Sequence, residues 1–201
     1  SDLQCGYLSA FGGCLRRKRF GLFVPSKVKE PTFFPEGYVA LVIGASYATK
    51  KLPLESLKVL CAQISHPIIL VGGKEEKEDG DRLAALDPSR IVNTCGTYSL
   101  HESALMVAKA RVVISHDTGM LYIACAFEKN VIAIWGATSP ALQVEPLMPS
   151  DSKAKVFQSI VPDLSCQPCS NFGTKTCPKG HFACMKKQDL SEIVRQVDNM
   201  W

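Results

Sequence analysis

The chain has 201 residues, of which 46% are hydrophobic and 21% are charged, a balance typical of one globular domain with a sizeable core. Its net charge of +4 comes from 23 basic and 19 acidic residues spread along most of the sequence, which does not by itself indicate a nucleic-acid or membrane partner. No apolar run approaches the roughly 18 residues that span a bilayer, and no signal peptide is recognisable, so we expect a cytoplasmic protein without a transmembrane segment.

The first 36 residues have no sustained periodicity and are rich in glycine and proline. This pattern predicts a linker or the remnant of a preceding domain, not a core element. The one dense basic run, residues 15–20, favours a solvated face over a contact with an anionic surface. We therefore expect the organised domain to occupy residues 37–201.

From Tyr38 onward, short apolar runs alternate with amphipathic segments. This alternation is typical of consecutive βα units, so it predicts an α/β fold with a Rossmann-like parallel sheet flanked by helices. The expected strands are Val39–Ile43, Ile68–Val71, Arg90–Asn93, Val112–Ser115, Val131–Trp135 and a sixth near Lys155–Ile160.

Four helices are expected between and after these strands. Leucines at three- and four-residue spacing predict the first, with Pro53 in its first turn. A second is expected from Ser99 to Lys109, where Glu102 completes a capping box with Ser99. The third is expected from Met120 to Glu128, and the closing helix is marked by Leu190, Ile193, Val194 and Val197.

Ligands of an open parallel sheet bind beyond the carboxyl ends of its strands, so the segment 115–120 is informative. Thr118 and Gly119 would place backbone N–H groups at a helix N-terminus, which suits a diphosphate, and glycine allows a close approach. Asp117 has two interpretations: it caps this helix, or it holds a ligand hydroxyl.

Two further loops follow strands. Residues 44–51 combine small, hydroxyl and basic side chains that suit phosphate contacts, although their spacing is not that of a P-loop. After Gly72 and Gly73, either Glu75 or Glu76 is a candidate for a ribose hydroxyl, and the alternative is a turn followed by a charged helix start. The first strand lacks G-x-G-x-x-G, which argues against a dinucleotide dehydrogenase.

A cysteine-rich loop is expected over residues 165–185. Its four cysteines and one histidine suit a structural zinc site, but reduced packing thiols or a disulfide remain open, the disulfide being least compatible with a reducing compartment. No base is paired with a thiol, so a catalytic cysteine is not indicated. The candidate ligands are Cys166, Cys169, Cys177 and Cys184, with His181 as an alternative.

Residues 115–124 and 131–140 resemble the signature of glycosyltransferase family 9, the ADP-heptose:lipopolysaccharide heptosyltransferases. Residues 49–53 and Gly72–Gly73 are similar to two further motifs of that family, in the same order, and the cysteine elements are similar to those of a bacterial subgroup. The resemblance covers residues 38 to about 190. It implies one half of a two-domain GT-B architecture, and an enzyme that inverts the anomeric centre without a metal.

Carried over by motif, the resemblance implies that Lys50 stabilises charge on the departing nucleotide and that Tyr98 covers the base. The family has a histidine at the position of Tyr122. The full set of implied donor-binding residues is Thr49, Lys50, Gly73, Glu75, Glu76, Tyr98, Asp117, Thr118, Gly119, Met120 and Tyr122.

In the family that the chain resembles, the acceptor site and catalytic base belong to an N-terminal domain, and residues 1–36 are too short to form one. We therefore expect a donor-binding domain that is inactive alone, needs no cofactor for catalysis, and reaches a lipid-linked or glycan acceptor through the missing domain. Such an enzyme would act in lipopolysaccharide or surface-glycan synthesis, at the inner membrane face. The alternatives are a non-catalytic nucleotide-sugar-binding module and a zinc-stapled interaction domain.

Overall fold

The computed structural model describes residues 33–201. The predictions for residues 1–32, the linker and the basic run, lie outside the described residues. The described chain forms a six-stranded sheet in the order β3-β2-β1-β4-β5-β6, in which every neighbouring pair is parallel. Its strands are β1 Val39–Val42, β2 Ile68–Val71, β3 Ile91–Asn93, β4 Val112–His116, β5 Asn130–Ile134 and β6 Val156–Ser159.

The expected Rossmann-like α/β fold is confirmed, and each predicted strand lies within one residue of its observed bounds. The helices are α1 Leu54–Gln63, α2 Lys77–Ala84, α3 Leu100–Lys109, α4 Gly119–Ala126, α5 Ala183–Lys186 and α6 Leu190–Met200. Helix α2 confirms the alternative given for the segment after the second strand, a turn followed by a charged helix start. Helix α5 was not predicted, because a single turn leaves too short a periodic signal.

Local capping explains where two of the helices begin. Ser99 Oγ accepts the Glu102 N–H at 3.3 Å, and Glu102 Oε2 accepts the Ser99 N–H at 2.8 Å, so the predicted capping box of α3 is present. At α6, Asp189 Oδ1 accepts the Glu192 N–H at 2.9 Å. Among the described residues, none of the helices is both long and apolar enough to cross a bilayer.

Alternate residues of the four central strands belong to two cores on opposite faces of the sheet. In β1, Val39 and Leu41 pack with residues of α1 and α6, while Ala40 and Val42 pack with α3 and α4. Helices α1 and α2 pack together on one face, and α3 and α4 pack together on the other. The chain therefore leaves the adjacent strands β1 and β4 toward opposite faces, which opens a crevice between their carboxyl ends.

Candidate functional site

A cavity of about 710 Å³ occupies this crevice. Its volume is within the range of cofactor and ligand sites, roughly 300–1,000 Å³. Seven of the residues expected to bind the donor line it: Gly73, Glu75, Glu76, Tyr98, Thr118, Gly119 and Met120. The remaining four, Thr49, Lys50, Asp117 and Tyr122, do not line it.

The N-terminus of α4 opens into the cavity. Thr118 is its N-cap residue, but the hydroxyl lies 3.3 Å from Ser115 Oγ and makes no capping hydrogen bond to the helix. No acidic side chain lies in the first turn, and a Cβ at Gly119 would meet no atom within 4 Å. The first N–H groups of α4 are therefore accessible to an anion, which the helix dipole also favours.

Asp117 is the centre of a polar network beside this helix. Its Oδ2 lies 2.7 Å from Lys50 Nζ and accepts the Thr138 hydroxyl at 2.8 Å, and its Oδ1 accepts the Tyr122 hydroxyl at 3.1 Å. Asp117 thus does not cap α4, which corrects one of the two interpretations of this residue. The hydroxyl of Tyr122 also lies 2.8 Å from the Val144 carbonyl oxygen. Burial, and then the Asp117 charge, raise the pKa of Tyr122.

A second ion pair joins the loops after β1 and β2. The carboxylate of Glu76 is paired with Lys51 and accepts the Gly73 N–H at 2.9 Å. These contacts bury Glu76 to 9% exposure, whereas Glu75 is exposed at the cavity wall. Of the two candidate carboxylates, Glu75 is therefore the one with oxygen atoms available to a ligand, and Glu76 joins two loops.

His116, at the end of β4, is a buried polar residue that the sequence analysis did not single out. Its Nε2 accepts the Leu52 N–H at 3.0 Å, and the side chain is 1% exposed. Burial lowers the pKa of His116 to about 4, although the nearby Gly44 carbonyl acts in the opposite direction. The imidazole is therefore neutral at physiological pH. Its only sequence signal is a polar side chain closing an apolar strand.

Thr49 is an anchor for the cysteine-rich segment (residues 165–185). Its hydroxyl donates to the Thr174 carbonyl at 2.8 Å and accepts the Thr174 N–H at 2.7 Å. At 3% exposure the side chain does not face the cavity. Thr174 engages the hydroxyl both as donor and as acceptor, so Thr49 supports the cysteine-rich segment in this structure, and its phosphate contact stays a prediction.

The same segment is attached to the turn after β5. The Gln167 side-chain amide donates to the carbonyls of Trp135, Gly136 and Thr138 at 3.2, 2.7 and 3.2 Å. That turn packs on Thr49, since the Ala137 N–H donates to the Thr49 carbonyl at 3.0 Å. The cysteine-rich segment therefore supports both Lys50 and Thr138, the two residues that contact Asp117 from outside α4.

The candidate metal ligands lie in this segment, and all its cysteines are free thiols. Cys166 Sγ is 3.8 Å from His181 Nε2, and backbone N–H groups, that of Phe182 foremost, lower the pKa of Cys177. A set of four thiols has the chemistry to hold zinc or iron. In the described part of the chain, however, no three His, Cys, Asp or Glu side chains are close enough to hold a metal, so the sulfur atoms would have to move together.

Part of the cavity wall is apolar. This part contains Tyr98, Leu100, Met120 and Ile123. The Tyr98 ring is held edge-on against Phe33, with 6.2 Å between ring centroids. Leu100 is 65% exposed, although it is a large hydrophobic residue. These side chains suit a flat apolar group, while the N-terminus of α4 suits an anion.

The chain is similar to known glycosyltransferases in sequence and in fold. The model of glycosyltransferase family 9 (heptosyltransferase) matches residues 16–181. The chain is 28% identical over 103 residues to lipooligosaccharide heptosyltransferase 2 of Haemophilus influenzae, which covers 49% of this chain and 29% of that protein. It is 25% identical over 99 residues to lipopolysaccharide heptosyltransferase 2 of Salmonella typhimurium, covering 47% of this chain and 27% of the relative.

Solved structures show the same fold. The structure of Escherichia coli ADP-heptose lipopolysaccharide heptosyltransferase II matches with a TM-score of 0.63 at 16% identity, over 82% of this chain and 46% of that one. The dodecameric iron-containing heptosyltransferase TibC, in complex with ADP-D-beta-D-heptose, matches with a TM-score of 0.59 at 14% identity, over 85% and 47%. The chain thus spans about half the length of these structures. Because the family model extends over most of its length, the chain belongs to glycosyltransferase family 9.

Proposed function

We propose that this chain is the donor-binding domain of an inverting glycosyltransferase that uses a nucleotide-diphosphate sugar, of the ADP-heptose type. The observation that carries this proposal is the cavity between β1 and β4, into which α4 presents accessible N–H groups beside Lys50. Family membership supports transfer of a heptosyl or hexosyl group, in lipopolysaccharide or surface-glycan synthesis.

The diphosphate would bind at the N-terminus of α4. Thr118 and Gly119 offer backbone N–H groups there, and the open space at Gly119 lets a phosphate oxygen come close. An ammonium group has three N–H donors. Lys50 can therefore keep its contact with Asp117 and still donate to a phosphate oxygen. Asp117 would hold Lys50 in place and offer a carboxylate to the sugar.

Chemically, the domain would stabilise the leaving nucleotide. Negative charge grows on the departing diphosphate as the sugar becomes oxocarbenium-like, and the positive end of α4 together with Lys50 faces that charge. The acceptor, lipid-linked or glycan, and the base that activates it would belong to a further domain. The nucleoside would lie against Tyr98 and Leu100, with Glu75 accepting from a ribose hydroxyl.

Calorimetric titration of the chain with ADP, UDP, GDP and an ADP-sugar tests the proposal. We expect one nucleotide to bind and the Lys50→Ala variant to bind it about tenfold or more weakly, because a charge-assisted hydrogen bond contributes roughly 1.5–3 kcal/mol. Lys58→Ala is the matched control, since Lys58 forms an exposed pair with Glu55 away from the cavity. Equal loss of affinity in both variants, or no binding by the native chain, would contradict the proposal.

A second candidate is a nucleotide-sugar-binding module without catalytic activity. Tyr122 favours it, because a neutral phenol stands where the family has a histidine and its hydroxyl is already engaged by Asp117 and Val144. In a protein that also contains the acceptor half, Tyr122→His is the discriminating variant. Transfer that appears only in this variant supports the module, whereas transfer by the native protein excludes it.

A peripheral position at a membrane surface is proposed on charge. Between Asp163 and Asp189 there is no acidic residue, while Lys175, Lys179, Lys186 and Lys187 are all exposed. Phe172, in the same stretch, is 75% exposed. Sedimentation with phosphatidylglycerol vesicles is expected to retain the chain at low salt, and phosphatidylcholine vesicles should not. Retention that is unchanged in Lys175→Glu/Lys179→Glu would oppose this assignment.

The cysteine-rich segment is also proposed to hold a structural metal, zinc or iron. The support is its four thiols, which lie within residues 166–184, and the backbone N–H groups directed at Cys177. Metal analysis of protein purified without chelator should give about one ion per chain, reduced by Cys169→Ser. A metal content near zero in the native chain would contradict this proposal and indicate that the four cysteines are reduced thiols without a metal.

A further inference from the structure

His116 is a buried ionisable residue that the proposed donor chemistry does not use. It lies at the carboxyl end of β4, directly before Asp117, and its side chain is 1% exposed. Its Nε2 accepts the backbone N–H of Leu52 at 3.0 Å. This contact crosses from β4 to the end of the loop that leaves β1 and enters α1.

The loop from Gly44 to Leu52 carries two lysines that are paired with acidic residues beside the cavity. Lys50 is paired with Asp117, and Lys51 is paired with Glu76. Leu52 follows them directly, so its N–H is the last backbone group of the loop before Pro53 and α1. Two consecutive residues therefore hold this loop. The His116 imidazole binds its backbone at Leu52, and the Asp117 carboxylate binds the Lys50 side chain.

We propose that His116 is a positioning residue for the donor diphosphate: by accepting the Leu52 N–H, it fixes the backbone from which Lys50 and Lys51 extend. This inference rests on the proposed donor-binding function. An imidazole accepts at Nε2 only when it is neutral with its proton on Nδ1. His116 thus acts as a fixed acceptor and takes no part in proton transfer.

The alternative is a histidine that only fills space in the core. If His116 only filled space, an apolar side chain of similar shape could replace it. The Leu52 N–H would then need another acceptor. Leu52 is 3% exposed and belongs to the core on the α1 face, so water has little access to its N–H and does not replace the lost acceptor. Replacement of His116 by an apolar residue therefore leaves a buried donor without a partner, and the loop is expected to shift to satisfy it.

Lysine acetylation followed by mass spectrometry tests this without a ligand. In His116→Leu we expect labelling of Lys50 and Lys51 to accelerate about tenfold, because a loss of roughly 1.4 kcal/mol in loop anchoring raises the open population by that factor. Lys74, exposed on the next loop, should label at its native rate. Lys129, half-buried at the opposite end of the sheet, reports global unfolding and should also be unchanged.

Matched variants separate the hydrogen bond from packing. His116→Gln retains an oxygen acceptor and should label more slowly than His116→Leu at Lys50 and Lys51. If the leucine variant does not fold, His116→Asn, whose polar group is one bond shorter, gives the same comparison with the glutamine variant. Native labelling rates at both lysines in the leucine or asparagine variant would overturn the proposal, as would acceleration that is equal at Lys129.

Nucleotide binding then connects the positioning to function. ADP affinity should fall about tenfold in His116→Leu, and this loss should disappear in a Lys50→Ala background, because the two changes act through one contact. Additive losses would contradict a role through Lys50. If the native chain binds no nucleotide, the donor-binding function fails, while the acetylation result still decides whether His116 holds the lysine loop.

Discussion

Lys50 Nζ lies 2.7 Å from Asp117 Oδ2, and the two side chains are only 13% and 10% exposed. The pair therefore belongs to the interior, where loss of one partner leaves a desolvated charge. We expect Asp117→Asn to lower the free energy of unfolding by about 2–4 kcal/mol. Urea unfolding at low ionic strength measures this.

The chain provides a matched control for that experiment. Lys58 and Glu55 are also 2.7 Å apart, but their side chains are 36% and 81% exposed. Because solvent screens this pair, Glu55→Gln should cost less than about 0.5 kcal/mol. Similar losses in the two variants would show that the Lys50–Asp117 pair is screened as well.

His116 should make stability depend on pH. Its folded-state pKa of about 4 is below its ordinary value of 6.5, so between these values the unfolded chain binds more protons than the folded chain. Stability contributed by the neutral imidazole is full above pH 6.5 and is lost as pH falls toward 4, by about 3 kcal/mol in total. The positive charges of Lys51 and Lys50 also lower the pKa of His116.

Carboxylates also titrate in part of the range between pH 4 and 6.5. The contribution of His116 is therefore measured as the difference between the native chain and a variant without the imidazole. Urea unfolding of the native chain and of His116→Gln should be compared at pH 7 and pH 4.5. The native chain is expected to lose more stability than the variant, which has no imidazole to protonate. Equal losses would mean that His116 is solvated enough to be protonated in the folded state.

Tyr122 should connect α4 to the segment after β5. Tyr122→Phe removes the hydroxyl that contacts the Val144 carbonyl and Asp117, so we expect a loss of about 1 kcal/mol in unfolding free energy. Tyr47→Phe is the control, since Tyr47 is 38% exposed against 40% for Tyr122 and has no hydroxyl hydrogen bond within residues 33–201. The prediction fails if the two phenylalanine variants are equally stable.

Thr49→Val should release the cysteine-rich segment while retaining side-chain volume. The variant loses both side-chain hydrogen bonds to Thr174 and leaves the Thr174 N–H without this partner. Trypsin should therefore cleave after the exposed Lys175 several-fold faster than in the native chain. Thr49→Ser keeps the hydroxyl and should remain protected. If valine and serine variants are cleaved at the same rate, the anchor is elsewhere.

The sequence predicted those parts of the fold that depend on neighbouring residues. The strands follow from apolar runs bounded by turn residues, and the start of α3 follows from Ser99 and Glu102, three positions apart. Residues at the carboxyl ends of the strands were also a good guide to the cavity, because topology alone brings those ends together.

Side-chain partners were beyond the sequence, since they depend on contacts between distant segments. Thr49 has a hydroxyl in a loop whose composition suits phosphate binding, but the partner of that hydroxyl is Thr174. Glu75 and Glu76 are equivalent in composition, and only the short turn at Lys74–Glu76 decides which one faces Lys51. Asp117 was a candidate cap of α4, but its carboxylate is paired with Lys50 instead.

The attachment of Thr174 to Thr49 spans 125 positions of the chain. During synthesis, the loop after β1 emerges long before the segment that anchors it, and at about 5–20 residues per second the interval is roughly 6–25 seconds. Throughout that interval, the nascent sheet exists without its final support beside Lys50. The proposed donor site is therefore complete only after nearly the whole domain has left the ribosome.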